Sequence, residues 1–313
     1  MPEFSIITPV LNQVSTIEKC IDSVAIQDVD VEHIIIDGGS TDGTVDIIRE
    51  HEDKLAFWVS EPDCGQSHAI NKGLKRASGT WFNWLNADDQ LAENALGTVQ
   101  KTAKSDTQVV VGKCRHVNLK GETVAEGSAR IWYSLEATLG NYSMGQPSVF
   151  YRTEIVKQLG GLNENLHLCL DMDLWFRFLL SFGQNQIEIT EAVLSEFLVH
   201  DKAKSSSLSN EMEAEKYGIY HALLSNFGLP EVLSDFLFNY PTPDSVNYKL
   251  PTGLDREELL ANFSWHLMIE AYQKREIEKC RAYFEVVKNS SRLSKTELLK
   301  WQARLASAKI LKA

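Results

Sequence analysis

The feature that most constrains the fold is a rhythm in the first hundred residues. Short apolar runs end on polar residues, and each is followed by a stretch with helical spacing. Residues 4–8 form the first run, closed by Pro9. Ser15 and Glu18 have the spacing of a capping box, and Ile17, Ile21 and Val24 then recur on one helical face. His33-Ile34-Ile35-Ile36 is apolar without alternation, as expected of a strand covered on both faces, and it stops at Asp37-Gly38-Gly39. A helix carrying Val45, Ile47 and Ile48 follows. Residues 56–60 read as a third strand, 67–77 as a helix closed by Gly79, and 81–85 as a fourth strand ending at Asn86-Ala87-Asp88-Asp89.

Such alternation with short loops predicts an α/β fold with a mainly parallel central sheet flanked by helices. Ligands of these sheets bind at the carboxyl ends of the strands. Thr8-Pro9, Asp37 and residues 86–89 each follow a strand directly, so parallel neighbours would bring three polar segments to one edge.

Further on the pattern changes. Residues 109–125 with a Lys120-Gly121 turn predict a hairpin. Gly145-Gln146-Pro147 precedes a short apolar run at 148–151. A helix from Asp171 carries Leu174, Trp175 and Phe178, and 187–189 and 193–199 predict two late strands ending at His200. Beyond Ser207 the reading is helical, over 211–227, 257–273, 276–288 and 294–312. Pro241, Pro243 and Pro251 mark residues 240–251 as a loop. The expected division is therefore an α/β domain over 1–206 and a helical C-terminal region over 207–313.

Charge narrows the partners. Lysine and arginine number 31 against 43 acidic residues, a net charge of −12, which argues against a broad basic grip on nucleic acid. A local basic patch toward a membrane stays open. No apolar run reaches eighteen residues, and the N-terminus lacks a charged-then-apolar leader. The five cysteines are scattered without zinc-site spacing and read as free thiols. A cytoplasmic protein is expected, free or peripheral at the inner face of the membrane.

Five segments could carry chemistry. Asp88 and Asp89 could share a hard divalent cation with phosphate oxygens, or could cap a helix beginning near Glu93. The glycines of residues 37–44 let backbone approach a ligand, with Asp37 placed to accept from a ribose or base. A tight turn before a helix capped by Thr41 or Asp42 is the structural alternative. Residues 61–73 are a polar loop entering a helix, where Gln66, Asn71 and Lys72 offer donors and the helix start favours phosphate. Cys64 in this loop has no adjacent base and reads as a bystander. Asp171 shares a stripe with Leu174, Trp175 and Phe178, which suits either a cleft carboxylate or an N-cap. Asp173 and Arg177 read as a surface pair. His200 precedes a polar, basic loop with Lys202 and Lys204 that could close over a diphosphate.

Together these segments resemble the inverting glycosyltransferases of family 2, with the GT-A (nucleotide-diphospho-sugar transferase) fold. Ser5-Ile6-Ile7-Thr8-Pro9-Val10-Leu11-Asn12 resembles the family's opening strand, residues 37–44 its nucleotide-binding turn, and Asn86-Ala87-Asp88-Asp89 its DxD-type metal motif. Residues 61–73 are similar to a version found in a soluble subgroup. Gly160-Gly161-Leu162-Asn163-Glu164 followed by residues 171–177 resembles the acceptor half. The resemblance covers about residues 4–205 and leaves the C-terminal helices out.

The resemblance implies that Thr8, Pro9, Asp37, Gly38 and Asp63 hold the nucleoside, and that Gln66, Asn71, Lys72 and Asn86 line the donor pocket. It implies that Asp88 and Asp89 bind a metal–diphosphate, with His200 a further metal or diphosphate contact and Asp171 the base. The cofactor would be Mn²⁺ or Mg²⁺, and the donor a nucleoside-diphosphate sugar, UDP being the family's commonest nucleotide. The acceptor would be a saccharide or glycolipid hydroxyl in polysaccharide or glycoconjugate assembly. The C-terminal helices would supply any peripheral membrane or protein contact. Asn86 replaces the first carboxylate of a strict DxD, which shifts metal binding onto Asp88 and Asp89. The Gln-x-x-Arg-Trp signature of processive synthases is absent, so single addition is expected. A nucleotide-sugar binding module without catalysis and a glycoside hydrolase are the competing classes. The hydrolase needs two carboxylates but neither a nucleotide turn nor a diphosphate site.

Overall fold

The computed structural model describes residues 2–200 and 208–310. Lys202 and Lys204 lie outside the described residues. Two compact units emerge, the first of residues 1–129, 143–178 and 182–213, the second of 130–142, 179–181 and 214–313.

The first unit is built on a nine-stranded sheet in the order β3-β2-β1-β4-β8-β6-β9-β5, with β7 paired to β6. These strands are β1 (Phe4–Val10), β2 (Val31–Asp37), β3 (Phe57–Ser60), β4 (Trp81–Trp84), β5 (Gln90–Leu91), β6 (Val109–Val117), β7 (Thr123–Ser128), β8 (Val149–Arg152) and β9 (Ile187–Leu198). β3, β2, β1 and β4 run parallel, β8 is inverted between β4 and β6, and β6 and β9 resume the first direction. Six of the nine strands therefore end on one edge, and the inverted β8 begins there. The sheet is mainly parallel, as the alternation predicts, with β5, β7 and β8 as the exceptions.

Strand pleating sorts the core. Phe4 and Ile6 join Trp81, Leu96, Val110 and Phe150 in one fully buried cluster with Cys20 and Val24 of α1 (Ile17–Ala25). Ile7 points to the other face, where α3 (Gln66–Arg76) lies so close that a Cβ on Gly73 would stand 2.4 Å from Ile7 Cγ2. Each such buried aliphatic side chain stabilises the fold by about 1.5–3 kcal/mol.

Several boundaries differ from the pattern reading. β1 runs through Pro9 to Val10. Ile7 O accepts from Leu85 N, so Pro9 turns its nitrogen to the same side and, with no N–H to give, ends the pairing with β4 there. The two late strands are a single β9, which absorbs the irregularity through register shifts around Gly112 and Lys113 of β6. The Ser15–Glu18 capping box does not form. Thr16 is the N-cap of α1 without a side-chain cap bond, and its hydroxyl turns back to Gln13.

At the amino ends of the strands, Glu32 gathers the backbone N–H groups of Ser78 and Gly79 and the hydroxyls of Ser5 and Ser78. Partial burial works against ionisation, but these donors outweigh it and hold the carboxyl below its usual range. A Cβ on Gly79 would stand 2.6 Å from the Phe4 carbonyl carbon, so only glycine lets this turn lie on β1.

The remaining helices of the first unit are α2 (Thr44–Glu50), α4 (Ala95–Thr102), α6 (Thr153–Gln158) and α7 (Leu170–Phe182), the last ending partly in the second unit. The second unit is helical, with α5 (Leu135–Gly140), α8 (Ser209–Leu224), α9 (Glu231–Leu237), α10 (Arg256–Gln273), α11 (Ile277–Val287) and α12 (Lys295–Ile310). α10 and α11 form a hairpin through a turn with Arg275 at φ +60°. Asp255 caps α10 by accepting from Glu258 N at 3.1 Å. α5 packs on α10 closely enough that a Cβ on Gly140 would stand 2.6 Å from Asn262 Cβ. Fully buried Asn262 accepts from Asn141 at 2.9 Å and donates to Glu258 at 2.8 Å. Among the described residues no helix is long and apolar enough to cross a membrane.

Candidate active site

The carboxyl edge of the sheet collects the polar segments that the sequence singles out. Asp37 ends β2 fully buried. Its Oδ2 accepts from Gly39 N at 3.0 Å, Ser40 N at 2.9 Å and Ser60 Oγ at 2.6 Å, and its Oδ1 accepts from Ser40 Oγ. The carboxylate thus ties the ends of β2 and β3 together and shapes the following turn. That turn is stitched to the loop after β1. Asn12 N donates to Ser40 Oγ at 2.7 Å, Thr41 N to Asn12 Oδ1 at 2.9 Å, Gln13 N to Thr44 Oγ1 at 2.8 Å and Val14 N to Asp42 Oδ2 at 3.1 Å. Asn12 takes φ +54°, a conformation asparagine tolerates.

The loop after β3 lies against the same turn. The Asp63 carboxylate occupies the space a Cβ on Gly38 would need, 2.7 Å from its Oδ2, so Gly38 is there to admit it. Asp63 Oδ1 accepts from Gly65 N at 2.8 Å. Gln66, first in α3, donates to Asn86 Oδ1 at 2.7 Å, and Asn86 Nδ2 donates to Asp89 Oδ2 at 3.2 Å. Lys72 is held by Glu61 at 2.8 Å, and that ammonium keeps the Glu61 carboxyl below its usual range.

Asp88 and Asp89 divide their tasks. Asp89 is buried, and its Oδ1 accepts from Leu198 N at 3.3 Å, bringing the end of β9 to the turn after β4. Burial and the neighbouring Asp88 charge push its carboxyl well above the usual range. Asp88 remains partly exposed, and its Oδ2 lies 3.2 Å from His200 Nε2. Thus Asn86, Asp88, Asp89, Gln66 and His200 come together, although they come from α3, the turn after β4 and the end of β9. Among the described residues no group of three or more His, Cys, Asp or Glu side chains is assembled as a metal cage.

Thr8, expected at the nucleoside, and Asn71, expected in the donor pocket, have structural partners. The Thr8 hydroxyl is buried against His33 Nε2 at 2.9 Å and Cys20 Sγ at 3.7 Å. Asn71 is buried and clamps the 160–164 turn, donating to Leu162 O at 2.9 Å and Glu164 Oε1 at 2.8 Å and accepting from Leu162 N at 2.8 Å. Gly161, at φ +77°, leaves the room that Asn71 Oδ1 fills. Ser67 braces the same segment through Leu166 O at 3.0 Å.

Asp171 stands in the first turn of α7, half-buried. Burial pushes the Tyr151 phenol well above its ordinary range, and the Asp171 charge adds to this. Asp173 and Arg177 are not a surface pair. Asp173 is only 2% exposed, and Arg177 meets it at 2.7 Å while donating to Leu159 O at 2.8 Å, so the pair braces α7 against the end of α6.

The pattern reading passed over Asn83. It is fully buried in β4 and donates to Val149 O at 2.9 Å and Pro147 O at 3.3 Å. An amide within the apolar run Trp81-Phe82-Asn83-Trp84 is the signal that could have drawn attention to it.

Residues 5–155 match the profile of Glycosyl transferase family 2. The PGL/p-HBAD biosynthesis glycosyltransferase of Mycobacterium tuberculosis is 30% identical over 184 residues, covering 56% of this chain and 69% of that protein. An uncharacterized glycosyltransferase of Rickettsia typhi is 27% identical over 241 residues, covering 72% and 71%. Among solved structures, S. aureus TarS 1–349 in complex with UDP-GlcNAc superposes with a TM-score of 0.60 at 18% identity, over 92% of this chain and 82% of that one. The mannosyltransferase PcManGT of Pyrobaculum calidifontis, with GDP-Man and Mn²⁺, superposes with a TM-score of 0.56 at 20% identity, over 97% and 80%. With a GT-A-like sheet whose carboxyl edge gathers the Asp37 turn and the Asp88–Asp89 segment, the chain is a glycosyltransferase and belongs to glycosyl transferase family 2.

Proposed function

We propose that this enzyme moves a sugar from a nucleoside-diphosphate donor, UDP in the first instance, to a saccharide or glycolipid hydroxyl with inversion at the anomeric carbon, using Mn²⁺ or Mg²⁺. The observation that carries the reading is the convergence of the Asp37 turn, the Asp63–Gln66 loop and the Asp88–His200 pair on one sheet edge. The glycosyltransferase relatives and the nucleotide-sugar ligands of TarS and PcManGT support it.

The residues fit a divalent cation of this kind. Asp88 and His200 are partly exposed and 3.2 Å apart, and the adjacent buried Asp89 is burdened by its neighbour's charge. Mg²⁺ and Mn²⁺ take one or two carboxylates and complete their shell with phosphate oxygens and water, so no full protein cage is required. When bound, the ion would neutralise the leaving diphosphate as a Lewis acid. Asp88 would hold it with His200, while Asp89 fixes Asp88 through the β4 turn and the β9 backbone. Gln66 and Asn86 align the donor loop with this turn. The Asp63 and Asp37 turns form the nucleoside end. Asp171 takes the proton of the attacking hydroxyl on a carboxylate oxygen, the transfer that inversion requires.

The test is nucleoside diphosphate release that depends jointly on donor, Mn²⁺ and acceptor. Asp171→Asn should abolish transfer and keep nucleotide binding. Asp88→Ala should weaken metal-dependent nucleotide binding in calorimetry. Near-normal turnover by Asp171→Asn would remove the base assignment.

A further inference from the structure

The loop entering β8 is fixed by more buried polar bonds than a connection needs. Asn83 secures the carbonyls of Pro147 and Val149, although its Oδ1 is left buried without a partner. Ser148 Oγ donates to Lys113 O at 2.8 Å and also pairs with Ser195 Oγ. Gly145 lies so near β6 that a Cβ there would stand 2.7 Å from Cys114 Cβ. A buried unpaired amide oxygen costs stability, so an apolar residue would serve β4 better if packing were the only demand.

What this framework delivers is the Gln146 side chain. β8 is inverted relative to β4, so Gln146 stands at the carboxyl edge beside the polar segments of the site. Its Nε2 donates to Trp84 O at 2.7 Å, two residues before Asn86. A carbonyl oxygen can be met only by the N–H side of the amide, so Oε1 is turned to the other corner. Among the described residues no hydrogen bond reaches Oε1, and the side chain is half-buried. An amide oxygen held this way is a fixed acceptor for a hydroxyl.

We propose that Gln146 Oε1 accepts a hydrogen bond from a sugar hydroxyl, of the transferred sugar or of the acceptor sugar, and so sets sugar specificity. The proposal rests on the glycosyl-transfer reading above. Trp84 O fixes the amide, and Asn83, Ser148 and Gly145 fix the backbone that carries it.

The experiment uses the full chain, its Gln146→Ala variant and its Gln146→Lys variant, which keeps a donor for Trp84 O and removes the acceptor. UDP binding with Mn²⁺ is measured first, then binding of UDP-glucose, UDP-galactose, UDP-N-acetylglucosamine and GDP-mannose. The tightest donor is followed by its monodeoxy analogues. If the hydroxyl is the donor's, both variants bind UDP normally but lose about 5- to 10-fold on the nucleotide sugar. One deoxy analogue then binds wild type as weakly as the full sugar binds the variants, and the variants no longer distinguish the two. If it is the acceptor's, donor binding is unchanged, and the same pattern appears in KM across deoxygenated methyl glycoside acceptors. Equal sensitivity of wild type and variants to every deoxy position, with UDP binding intact, overturns the proposal alone. Failure of wild type to bind any nucleoside diphosphate overturns both the proposal and the reading beneath it.

Discussion

Acid should destabilise this protein partly through one residue, His33. It lies in the middle of β2, only 2% exposed, with Nε2 against the Thr8 hydroxyl and Nδ1 buried without a partner. Burial alone pulls its imidazole down from 6.5 to about 3. The sign follows directly. The unfolded chain binds this proton below about pH 6.5 and the native chain does not, so stability is complete above that pH and falls as pH drops toward the folded value. At about pH 4.5 the unfolded imidazole lies about two pH units below its own pKa, so the loss attributable to His33 is about 2–3 kcal/mol. Below the folded value the loss levels off at about 5 kcal/mol. His33→Gln removes the titration and keeps an amide to meet Thr8. Urea unfolding of both proteins at about pH 7.5 and about pH 4.5 isolates the contribution, because Glu32 and every other titrating group is common to both. Wild type should lose about 2–3 kcal/mol more than the variant between the two conditions. Equal losses would mean that His33 titrates in the native state, and the account of a neutral histidine sealed in the parallel sheet would be wrong.

Gly38→Ala should force the Asp63 carboxylate out of its place against the Asp37 turn; nucleotide affinity measured by calorimetry should fall while the thermal midpoint moves little. Asn71→Ala leaves the Leu162 N–H and carbonyl without their partner, and chemical denaturation should report about 1–3 kcal/mol of lost stability. Gln66→Ala should weaken metal-dependent nucleotide binding more than metal-free binding, because it releases Asn86 from α3; equal weakening of both would detach Gln66 from the Asp88–Asp89 turn. Cys64 is the exposed thiol and the other four are buried, so a thiol reagent should titrate one group quickly in the native protein. Nucleotide with Mn²⁺ should slow that reaction, since Cys64 follows Asp63 in the loop after β3, where the proposed function places the nucleoside.

The sequence reveals this fold most clearly where local pattern and tertiary demand agree. Ile34 to Ile36 is apolar throughout because both faces of β2 are covered, and its abrupt end at Asp37 marks the carboxyl edge. The same agreement makes residues 37–44, 61–73 and 86–89 legible as polar segments brought to one sheet edge, since each follows a strand. Legibility fails where a residue's partner is far away in the chain. Thr8 carries an expected nucleoside contact and Asn71 an expected donor role; their partners in the fold, a histidine 25 residues on and a turn 91 residues on, are invisible to local pattern. Asp173 looks like a surface charge by its spacing to Arg177, yet α7 buries that edge. Asn83 is the clearest case. Periodicity treats it as a flaw in an apolar strand, whereas the sheet order sets β8 beside β4 and turns the flaw into a clamp. A polar residue inside an apolar run is therefore best read as a question about the neighbouring strand, and here the segment entering that neighbour carries Gln146 to the carboxyl edge of the sheet.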